Sequence, residues 1–527
     1  MKKIVSLSVM AAAATSFAFG STADDIANLQ AQIDKLKVKQ GKINAQSAHD
    51  NIKWNVDFRT AYDNINYDMA NGSSVGNDAL LSMRLWLNMA YSPDERNVFK
   101  GQLSMNKAFG ADFGTANGQT RALSMGGMFD WTANEALTDN SLKVRQAYWL
   151  YLGDKAFGAD IPWTFSIGRR PSTNGFLANL REDDAAQSPL GHVINVEFDG
   201  LSSKLDLSNV TGIPGMSFKI CLGYGSTNAQ PLFTNATPYA DTENNIDDIK
   251  LGGFIFEPYN DGQFIVKTTW YKAFDLPGQD QPTPIISGNP MNPSVSLGID
   301  PNFHQYGDMQ GAALSVLVDG ITEDGYFADA KVFGSFAWSQ TDPYAGSQML
   351  GSSDSKSGTS WWVGTQLPVG DDAQYGVFGL EYNHGSQYWR PFTYAEDTMI
   401  GSKIAARGDA WEAYFTYQIN DALSLQARYT DISYDYTGSN GFFGDLSGNA
   451  MKIDDIKQGA AAFSAMGGTV DATGAHNLGV VTGNLMAQGM PQAQAQQVAG
   501  QMAGAALFAP QVVEKAQDFR FYLRYRF

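Results

Sequence analysis

Residues 519–527 read FRFYLRYRF, in which large apolar or aromatic side chains alternate with polar, mainly basic ones. Successive side chains of a β-strand point to opposite faces, so each set occupies one face. The first face carries Phe519, Phe521, Leu523, Tyr525 and Phe527, and the second carries Arg520, Tyr522, Arg524 and Arg526. The strand fits a soluble core with its arginines in water, or a membrane barrel with lipid on the first face and a wet lumen on the second.

The same two-residue period recurs along the chain after residue 52. Segments such as IKWNVDFRTAY (52–62), LSMRLWLNMAYS (81–92) and LKVRQAYWLYL (142–152) alternate in this way. The pattern predicts strands near 52–63, 80–92, 97–108, 141–153, 162–170, 191–207, 216–225, 248–257, 262–274, 308–319, 325–339, 359–368, 374–385, 409–419, 423–437 and 517–527. The sequence therefore predicts an all-β domain over residues 52–527.

The connections between these strands alternate in length. Short turns include SPDERN (92–97), EPYNDG (257–262), DGITEDG (319–325) and Asn420–Asp421. Long loops lie between them, at 109–140, 171–190, 226–247, 275–307, 340–358 and 386–408. This alternation is typical of outer-membrane barrels, whereas propellers and sandwiches space their turns more evenly. We predict a transmembrane antiparallel up-and-down β-barrel of about 16 strands, with 14 or 18 still open.

The free energy of placing arginine in lipid decides which face of each strand points outward. A lipid-facing arginine near the bilayer midplane costs roughly 2–4 kcal/mol. The aromatic and aliphatic faces are therefore predicted to contact lipid, and the arginines to face the lumen. On this register, residues 519–527 form the strand that closes the barrel.

The N-terminus has the pattern of a secretory signal. Lys2 and Lys3 precede an apolar run from Ile4 to Phe17, and Ala18–Gly20 offers a small-residue cleavage site. The alternative is a membrane anchor, but the run is shorter than the roughly 20 residues that a spanning helix needs. We expect residues 1–20 to be a cleaved signal peptide that directs the chain to the outer membrane of a Gram-negative cell.

Residues 24–46 are predicted to form a short periplasmic coiled-coil helix. The seam at Ile26, Leu29, Ile33, Leu36, Gln40 and Ile43 follows the spacing of heptad positions a and d. An isolated helix of this length is marginal in water, so we expect it to pair with copies of itself in a homo-oligomer, most plausibly a trimer. A lone amphipathic helix resting on the barrel is the alternative.

Residues 438–516 interrupt the strand pattern with a segment rich in Ala, Gly, Gln and Met. Within it, residues 490–509 are predicted to be helical, with Pro491 near the first turn. We expect a long, partly helical extracellular insertion that caps the barrel mouth or plugs it. A loosely attached surface segment is the alternative.

Composition and motifs argue against several other functions. The formal net charge of −18 disfavours nucleic acid as a partner, whereas outer-membrane lipid and lipopolysaccharide are expected. GSSVG (72–76) matches the G-x-S-x-G motif of serine hydrolases. It lies between two predicted strands, however, and not in the sharp strand-to-helix turn that exposes the serine in those enzymes. The five histidines are scattered, and Cys221 is the single cysteine, so no metal site, cofactor or internal disulfide is predicted. We expect no enzymatic activity.

Basic residues recur at inward positions of the predicted barrel. They are Lys53, Arg59, Arg84, Lys100, Lys143, Arg145, Arg428, Arg520, Arg524 and Arg526. Barrel closure makes the last two strands neighbours of the first, so many of these residues form one basic sector that lines the pore. We predict weak anion preference at moderate salt, drifting towards cations at low salt. The alternative is that the arginines pair with local carboxylates such as Asp57.

The loop after the fifth predicted strand carries charges of both signs. They are Arg169, Arg170, Arg181, Glu182, Asp183 and Asp184. Folded into the lumen opposite the basic sector, this loop would create a transverse field at a constriction. The alternative is an outward loop that binds lipopolysaccharide through divalent ions.

Two stretches resemble a known family. FSIGRRPSTNG (165–175) with PLGHVINVEFDGL (189–201), and GLEYNHGSQYW (379–389) with IAARGDAWEAYF (404–415), are similar to sequence blocks of a porin-like outer-membrane family described as a domain of unknown function. The resemblance covers residues 30–437 and the last strand, and it implies a barrel but no substrate. A coiled coil before a barrel also resembles porins of the phosphate-selective type, which are trimers. The segment 438–516 departs from the family pattern.

The function that these features favour is passive diffusion of small hydrophilic solutes or ions through a water-filled channel. A plugged barrel that binds or transports a specific or hydrophobic ligand is the second possibility. A non-conducting surface adhesin is the third.

Overall fold

The computed structural model describes residues 52–111, 140–170, 174–229, 246–289, 292–298, 303–370, 373–393, 398–439 and 448–527, with the short pieces 115–116, 119–120, 137, 300 and 443–444. The predicted signal peptide (1–20) and coiled coil (24–46) lie outside these residues. The described chain folds into one closed antiparallel barrel with a small assembly of helices and strands at one end.

Sixteen strands make up the barrel. They are β1 (Lys53–Met69), β2 (Ser74–Tyr91), β3 (Asn97–Ala108), β4 (Lys143–Gly153), β5 (Trp163–Arg170), β6 (Phe198–Asp206), β7 (Ser217–Ser226), β8 (Ile249–Asn260), β9 (Phe264–Gln279), β10 (Phe303–Asp319), β11 (Lys331–Pro343), β12 (Ser357–Pro368), β13 (Val377–Gly385), β14 (Gly408–Gln418), β15 (Leu423–Tyr434) and β16 (Val513–Arg526). Each strand pairs with the next, and β16 pairs with both β15 and β1. The predicted strand number and up-and-down order are confirmed.

The side chains of each strand alternate between an apolar outer face and the interior. On β16, Phe519 is 46% exposed and Phe521 43%, whereas Arg520 and Arg524 are buried at 0% and 1%. The same alternation leaves aromatic and aliphatic groups on the outer faces of the other strands, among them Trp149, Ile220, Leu314, Phe336, Trp361 and Trp411. The register predicted from the free energy of lipid-exposed arginine is therefore confirmed.

The barrel has two different ends. At the turn end, where β1 begins, the connections are residues 92–96, 154–162, 207–216, 261–263, 320–330, 369–376 and 419–422. At the loop end most connections are long, but residues 70–73 join β1 to β2 in a tight turn. Sequence analysis ended these two strands near residues 63 and 80, too early, because their polar upper parts lack apolar alternation. Gly72, with φ of 83°, supplies the left-handed residue that the turn needs.

One predicted strand begins in the wrong place. Residues 191–197 were expected to open the sixth strand, but β6 begins at Phe198 and the preceding segment lies inside the barrel. Val193 and Val196 are fully buried, and the N–H of Phe392 donates to the carbonyl of Val193 at 3.0 Å. The apolar residues of this segment satisfied the strand pattern, although both of its faces are buried.

The described part of the chain contains five α-helices, none longer than 17 residues. They are α1 (Ala178–Arg181), α2 (Ser208–Thr211), α3 (Ile453–Ala465), α4 (Leu478–Ala487) and α5 (Gln492–Phe508), with 3₁₀ turns at Tyr326–Ala328, Lys403–Ala405 and Ala509–Gln511. The predicted helix at 490–509 corresponds to α5. None of the helices in the described part of the chain is both long and apolar enough to cross a membrane.

Small paired strands lie outside the barrel wall. Thr283–Asn289, Asn292–Gly298, Gly474–His476 and Thr469–Asp471 form a four-stranded sheet, Gly175–Phe176 pairs with Gln187–Leu190, and Thr115–Ala116 pairs with Gln119–Thr120. The four-stranded sheet therefore joins the 280–302 connection to the 435–512 connection, and it supports the helices of the latter.

The helices α3–α5 pack around one apolar cluster. Ala495, Ala499 and Ala503 recur every four residues on the buried face of α5, where they meet Phe463 and Val481. Small side chains on one face let neighbouring helices approach closely. The described part of 438–516 is thus a folded unit.

The chain before α3 lies across part of the loop end. The N–H of Gln279 donates to the carbonyl of Phe443, and Arg390 donates to the carbonyls of Gly438 and Ser439 at 3.1 Å. These contacts link the ends of β9 and β13 through one segment. Phe443 is buried and joins the apolar cluster of the barrel interior.

Candidate functional site: the barrel interior

A loop crosses the barrel interior between β5 and β6. This inserted loop, residues 174–197, carries α1 to the far wall, where Gln366 of β12 donates to the carbonyl of Leu180 at 2.9 Å. Gln426 of β15 donates to the carbonyl of Arg181 at 2.8 Å. The loop is therefore anchored on β12 and β15, across the barrel from β5 and β6, which it connects. It divides the lumen.

Glu182 of the inserted loop is the centre of an ion-pair network. Its carboxylate is 3.4 Å from Arg59 and 2.8 Å from Arg428, and it accepts a hydrogen bond from the hydroxyl of Tyr522 at 3.0 Å. The neighbouring Arg181 lies 3.2 Å from Glu412 of β14. All of these side chains are buried, so the charges are compensated by one another rather than by water.

The same network continues along β16 and β1. Asp57 pairs with Arg84 at 3.5 Å and with Arg524, while Arg520 pairs with Asp63. We call this region the paired wall. It consists of Asp57, Arg59, Asp63, Arg84, Arg181, Glu182, Asp184, Glu381, Lys403, Glu412, Arg428, Asp518, Arg520 and Arg524.

Asp184 shows what burial does to a charge in the inserted loop. Burial raises the pKa of its carboxyl, although Arg524 lies 2.7 Å away and opposes the shift. Even a close guanidinium does not fully offset the loss of hydration here. The paired wall therefore depends on each of its partners.

The structure places the predicted site residues as follows. Arg59, Arg84, Arg145, Arg428, Arg520 and Arg524 are buried in the interior, Lys53 and Lys100 are exposed at the turn end, and Lys143 and Arg526 are partly exposed. Arg145 and Arg169 share Glu197 at 2.9 and 3.3 Å, and Arg526 lies 2.9 Å from Asp183. The buried arginines of the predicted basic sector thus have carboxylate neighbours, the alternative that the sequence left open.

A second side of the interior is apolar. Trp362, Trp389 and Phe392 are almost completely buried, together with Tyr271 and Phe333 on the strands. Trp389 and Phe392 belong to the 386–407 connection, and its described residues 386–393 fold inward like the inserted loop. No sequence pattern singles out Trp389 and Phe392, because a buried loop has no periodic signal.

His192 of the inserted loop lies at the centre of this apolar side. Its ring nitrogens are 2.8 Å from the hydroxyl of Ser335 and 2.9 Å from that of Ser360. Burial lowers the pKa of His192 to about 3, so the ring is neutral. A serine–histidine pair is thus present, but all three side chains are buried, so we interpret it as a structural contact rather than a hydrolase site.

The interior also contains a cavity of about 310 Å³ between the inserted loop and the wall formed by β3–β9. Four basic side chains line it, and its described lining contains no aspartate or glutamate. We call it the basic cavity. Its lining includes Lys100, Tyr148, Leu150, Ser166, Arg170, Gln187, Ser188, Ile194, Phe198, Ser202, Lys204, Lys219, Cys221, Leu251, Thr269 and Tyr271.

Two lysines of the basic cavity face each other directly. Lys204 of β6 and Lys219 of β7 are register partners, and both point inward. Of the predicted site residues, Arg170 and Lys100 also line this cavity. The sequence analysis missed Lys204 and Lys219, although the alternation in MSFKICLGY (216–224) places Lys219 and Cys221 on the face opposite the apolar residues.

The sequence shows a family relationship. The model of a family described as "Protein of unknown function (DUF3373)" matches residues 74–477. The chain belongs to this family. The match includes residues 438–477, so the first part of the segment that was expected to depart from the family pattern lies within it. The resemblance to phosphate-selective porins through the coiled coil is not confirmed.

Solved structures of outer-membrane proteins are similar to this chain at low identity. An anion-selective porin from Comamonas acidovorans is 11% identical, with 90% of this chain and 99% of that chain covered and a TM-score of 0.43. A Salmonella typhi OmpF complex with daunomycin is 11% identical, with 91% and 99% covered and a TM-score of 0.42. The trimer form of OmpT, an outer membrane protein of Vibrio cholerae, is 10% identical, with 90% and 99% covered and a TM-score of 0.39.

Two comparisons are negative. No curated protein gives a significant match to the sequence. Within the part of the chain that the structure describes, no group of three or more histidine, cysteine, aspartate or glutamate side chains is arranged to hold a metal ion.

Proposed function

We propose that this protein is a porin-like channel of the outer membrane that lets small hydrophilic solutes or ions diffuse passively. The observation that carries the proposal is the combination of a closed barrel, an apolar outer face and a charged interior with a cavity of about 310 Å³. An apolar outer face on a closed barrel suits a bilayer, because no backbone edge remains unpaired there.

The solute path follows the wall formed by β3–β9 rather than the barrel axis. The inserted loop is buried against the paired wall, and the 386–407 connection is buried against the apolar side. The basic cavity is the space beside them, and its described lining holds basic side chains but no carboxylate. A path of this kind suits small solutes and favours anions, because its charged lining is basic.

The orientation and assembly follow from the same proposal. Residues 1–20 direct export and are removed, the turn end faces the periplasm, and the loop end with α3–α5 faces outward. The protein assembles as a homo-oligomer, most simply a trimer, to which the coiled coil at 24–46 contributes. Deleting residues 24–46 should weaken the oligomer in native gels, and a wild-type protein that stays monomeric in mild detergent would contradict this assembly.

Planar-bilayer recordings test the channel function. Refolded protein should give discrete conductance steps, and unboiled protein should migrate differently from boiled protein in SDS gels, as folded barrels do. Folded protein that inserts into bilayers without conductance steps would contradict the proposal. Recovery from the periplasm as a soluble protein would contradict the membrane location.

A second function is favoured by the packed apolar side of the interior. The buried cluster around Trp362, Trp389 and Phe392 would suit a plugged barrel that binds or transports one ligand after the inserted loops move. The two functions differ in conductance. A plugged barrel should conduct only after the 386–407 connection is loosened, whereas a passive channel should conduct as purified.

A further inference from the structure

We propose that the basic cavity is a binding site for small organic anions, meaning solutes that combine a carboxylate, phosphate or sulfonate group with an apolar or aromatic body. The proposal deepens the channel function proposed above and rests on it. It assigns the solute class to residues of β3–β9, not to the basic sector around β16 that the sequence suggested.

The opposed lysines are the first reason. Lys204 and Lys219 are direct cross-strand partners with inward side chains, an arrangement in which like charges destabilise a sheet. Lys219 donates to the hydroxyl of Ser188 at 2.7 Å, so its ammonium group is held beside the inserted loop. No carboxylate belongs to the described lining of the cavity, so an anionic solute bound there supplies a compensating charge.

Arg170 is the second reason. Its guanidinium lies 4.7 Å from the ring centre of Tyr148 and donates to the hydroxyl of Ser166. Arg170 is close enough to Lys219 for the two charges to interact, which concentrates positive charge along one side of the cavity. A guanidinium suits carboxylate and phosphate groups, because its N–H groups lie in one plane and can form two parallel hydrogen bonds.

The remaining lining favours an organic anion over a simple inorganic one. Leu150, Ile194, Phe198 and Tyr271 contribute apolar surface to the same cavity. A volume of about 310 Å³ lies at the lower end of the range for sites that bind small organic molecules. Phosphate alone would leave these apolar side chains in contact with water, whereas a body such as a phenyl ring would cover them.

Cys221 makes the proposal testable, because it is the single cysteine of the chain and it lines the cavity. The refolded protein in detergent is treated with anionic or cationic methanethiosulfonate reagents, and modification is followed by mass spectrometry. Each rate is divided by the rate for the urea-unfolded protein, which removes the intrinsic reactivity of the reagent. Cys221→Ser serves as the unreactive control.

We expect the normalised rate to be higher for the anionic reagent than for the cationic one. Lys204→Glu with Lys219→Glu should lower the anionic-to-cationic ratio by about tenfold or more, because two positive charges beside Cys221 are replaced by two negative ones. Lys155→Glu, an exposed lysine in a turn at the same end of the barrel, should leave the ratio unchanged. A ratio that favours the cationic reagent, or no reaction with either reagent, would overturn the proposal.

Protection of Cys221 identifies the ligand class. Phenyl phosphate should slow modification at concentrations at which inorganic phosphate and benzylammonium do not. Equal protection by inorganic phosphate would overturn the organic part of the proposal, and absence of protection by phenyl phosphate would overturn the site. The readout requires no ion current, so protection without conductance would contradict the channel function alone, and conductance without protection would contradict the binding site alone.

Discussion

The two charged regions of the barrel interior differ in whether their basic side chains have carboxylate neighbours. In the paired wall, Arg59 and Arg428 both contact Glu182, and Arg524 contacts Asp57 and Asp184. In the basic cavity, Lys204 faces Lys219 and no carboxylate belongs to the described lining. Both regions are made of inward side chains on regular strands, so the difference lies in what the inserted loop brings to each.

The charges of the paired wall stabilise the fold, whereas those of the basic cavity are available to act on solutes. The inserted loop brings Arg181, Glu182 and Asp184 to the paired wall, whose charges are then used in anchoring it. To the basic cavity the same loop brings Ser188 and Ile194, which add no charge. A buried guanidinium with its own carboxylate exerts little field on a passing ion, whereas an uncompensated ammonium exerts its full field.

The largest effect is expected for Glu182→Gln in the paired wall. The substitution removes the buried carboxylate that Arg59 and Arg428 share, which should lower the free energy of unfolding by about 3–5 kcal/mol. The temperature at which the compact band disappears from SDS gels should fall, and proteolysis within 174–197 should increase.

Asp183→Asn is the matched control for this change. Asp183 is the next residue of the same loop, but its side chain is 77% exposed and it pairs with the partly exposed Arg526. The control should lower the free energy of unfolding by less than about 1 kcal/mol. Equal effects of the two substitutions would show that the paired wall does not anchor the loop.

The next effect concerns the apolar side of the interior. Trp389→Ala removes a fully buried side chain whose N–H donates to the carbonyl of Ile404 at 2.9 Å. We expect a loss of about 3 kcal/mol in stability and a larger single-channel conductance, because the cavity that remains joins the lumen. Trp411→Ala, which removes an outward tryptophan that is 51% exposed, should leave conductance unchanged. The reverse order of conductances would contradict the assignment of Trp389 to the lumen.

A pH-dependent effect, which is small near neutral pH and grows on acidification, is expected for His192. Its pKa is about 3 in the folded protein because of burial, against an ordinary value of 6.5, so below about pH 6.5 the unfolded chain binds a proton that the folded one does not. The free energy of unfolding should therefore be highest above pH 6.5 and fall by about 1 kcal/mol per pH unit on acidification towards pH 3.

His192→Gln isolates this contribution, because glutamine keeps hydrogen-bonding capacity but does not titrate. Urea titrations at pH 7.5, 6.0 and 4.5 should show a shallower loss of stability for this variant than for the wild type. His384→Gln, at an outward strand position beside Asp409, controls for the loss of a histidine as such. Parallel pH profiles for the wild type and His192→Gln would show that His192 is not buried in the neutral form.

Much of the fold could be predicted from the sequence, because lipid and lumen impose a strict two-residue period. Phe519 and Arg520 already show this period, which recurs along the parts of the barrel strands that carry apolar outer faces. It failed at 191–197 because a segment buried on both faces imitates a strand, and near residues 63–80 because strands that rise beyond the apolar band lose their pattern.

The interior was harder to predict because ion pairing depends on contacts between residues far apart in the chain. Glu182 contacts Arg428, which is 246 residues away in the sequence, and no local sequence pattern predicts that contact. The inward positions of the arginines therefore predicted a basic sector, but not the carboxylates that neutralise its charge. No sequence pattern distinguishes Lys204 and Lys219. Their importance follows from their cross-strand pairing and from the absence of a carboxylate in the described lining of the basic cavity.

Reversal potentials in a salt gradient test the central claim, that uncompensated lysines rather than paired arginines set the preference for anions. The comparison is between Lys204→Gln with Lys219→Gln in the basic cavity and Arg84→Gln in the paired wall, each checked for folding by its migration in unboiled gels. We predict that the wild type is anion-selective at moderate salt, that the lysine pair shifts the reversal potential towards cations, and that Arg84→Gln shifts it much less. A shift for Arg84→Gln that equals or exceeds that of the lysine pair would contradict the account.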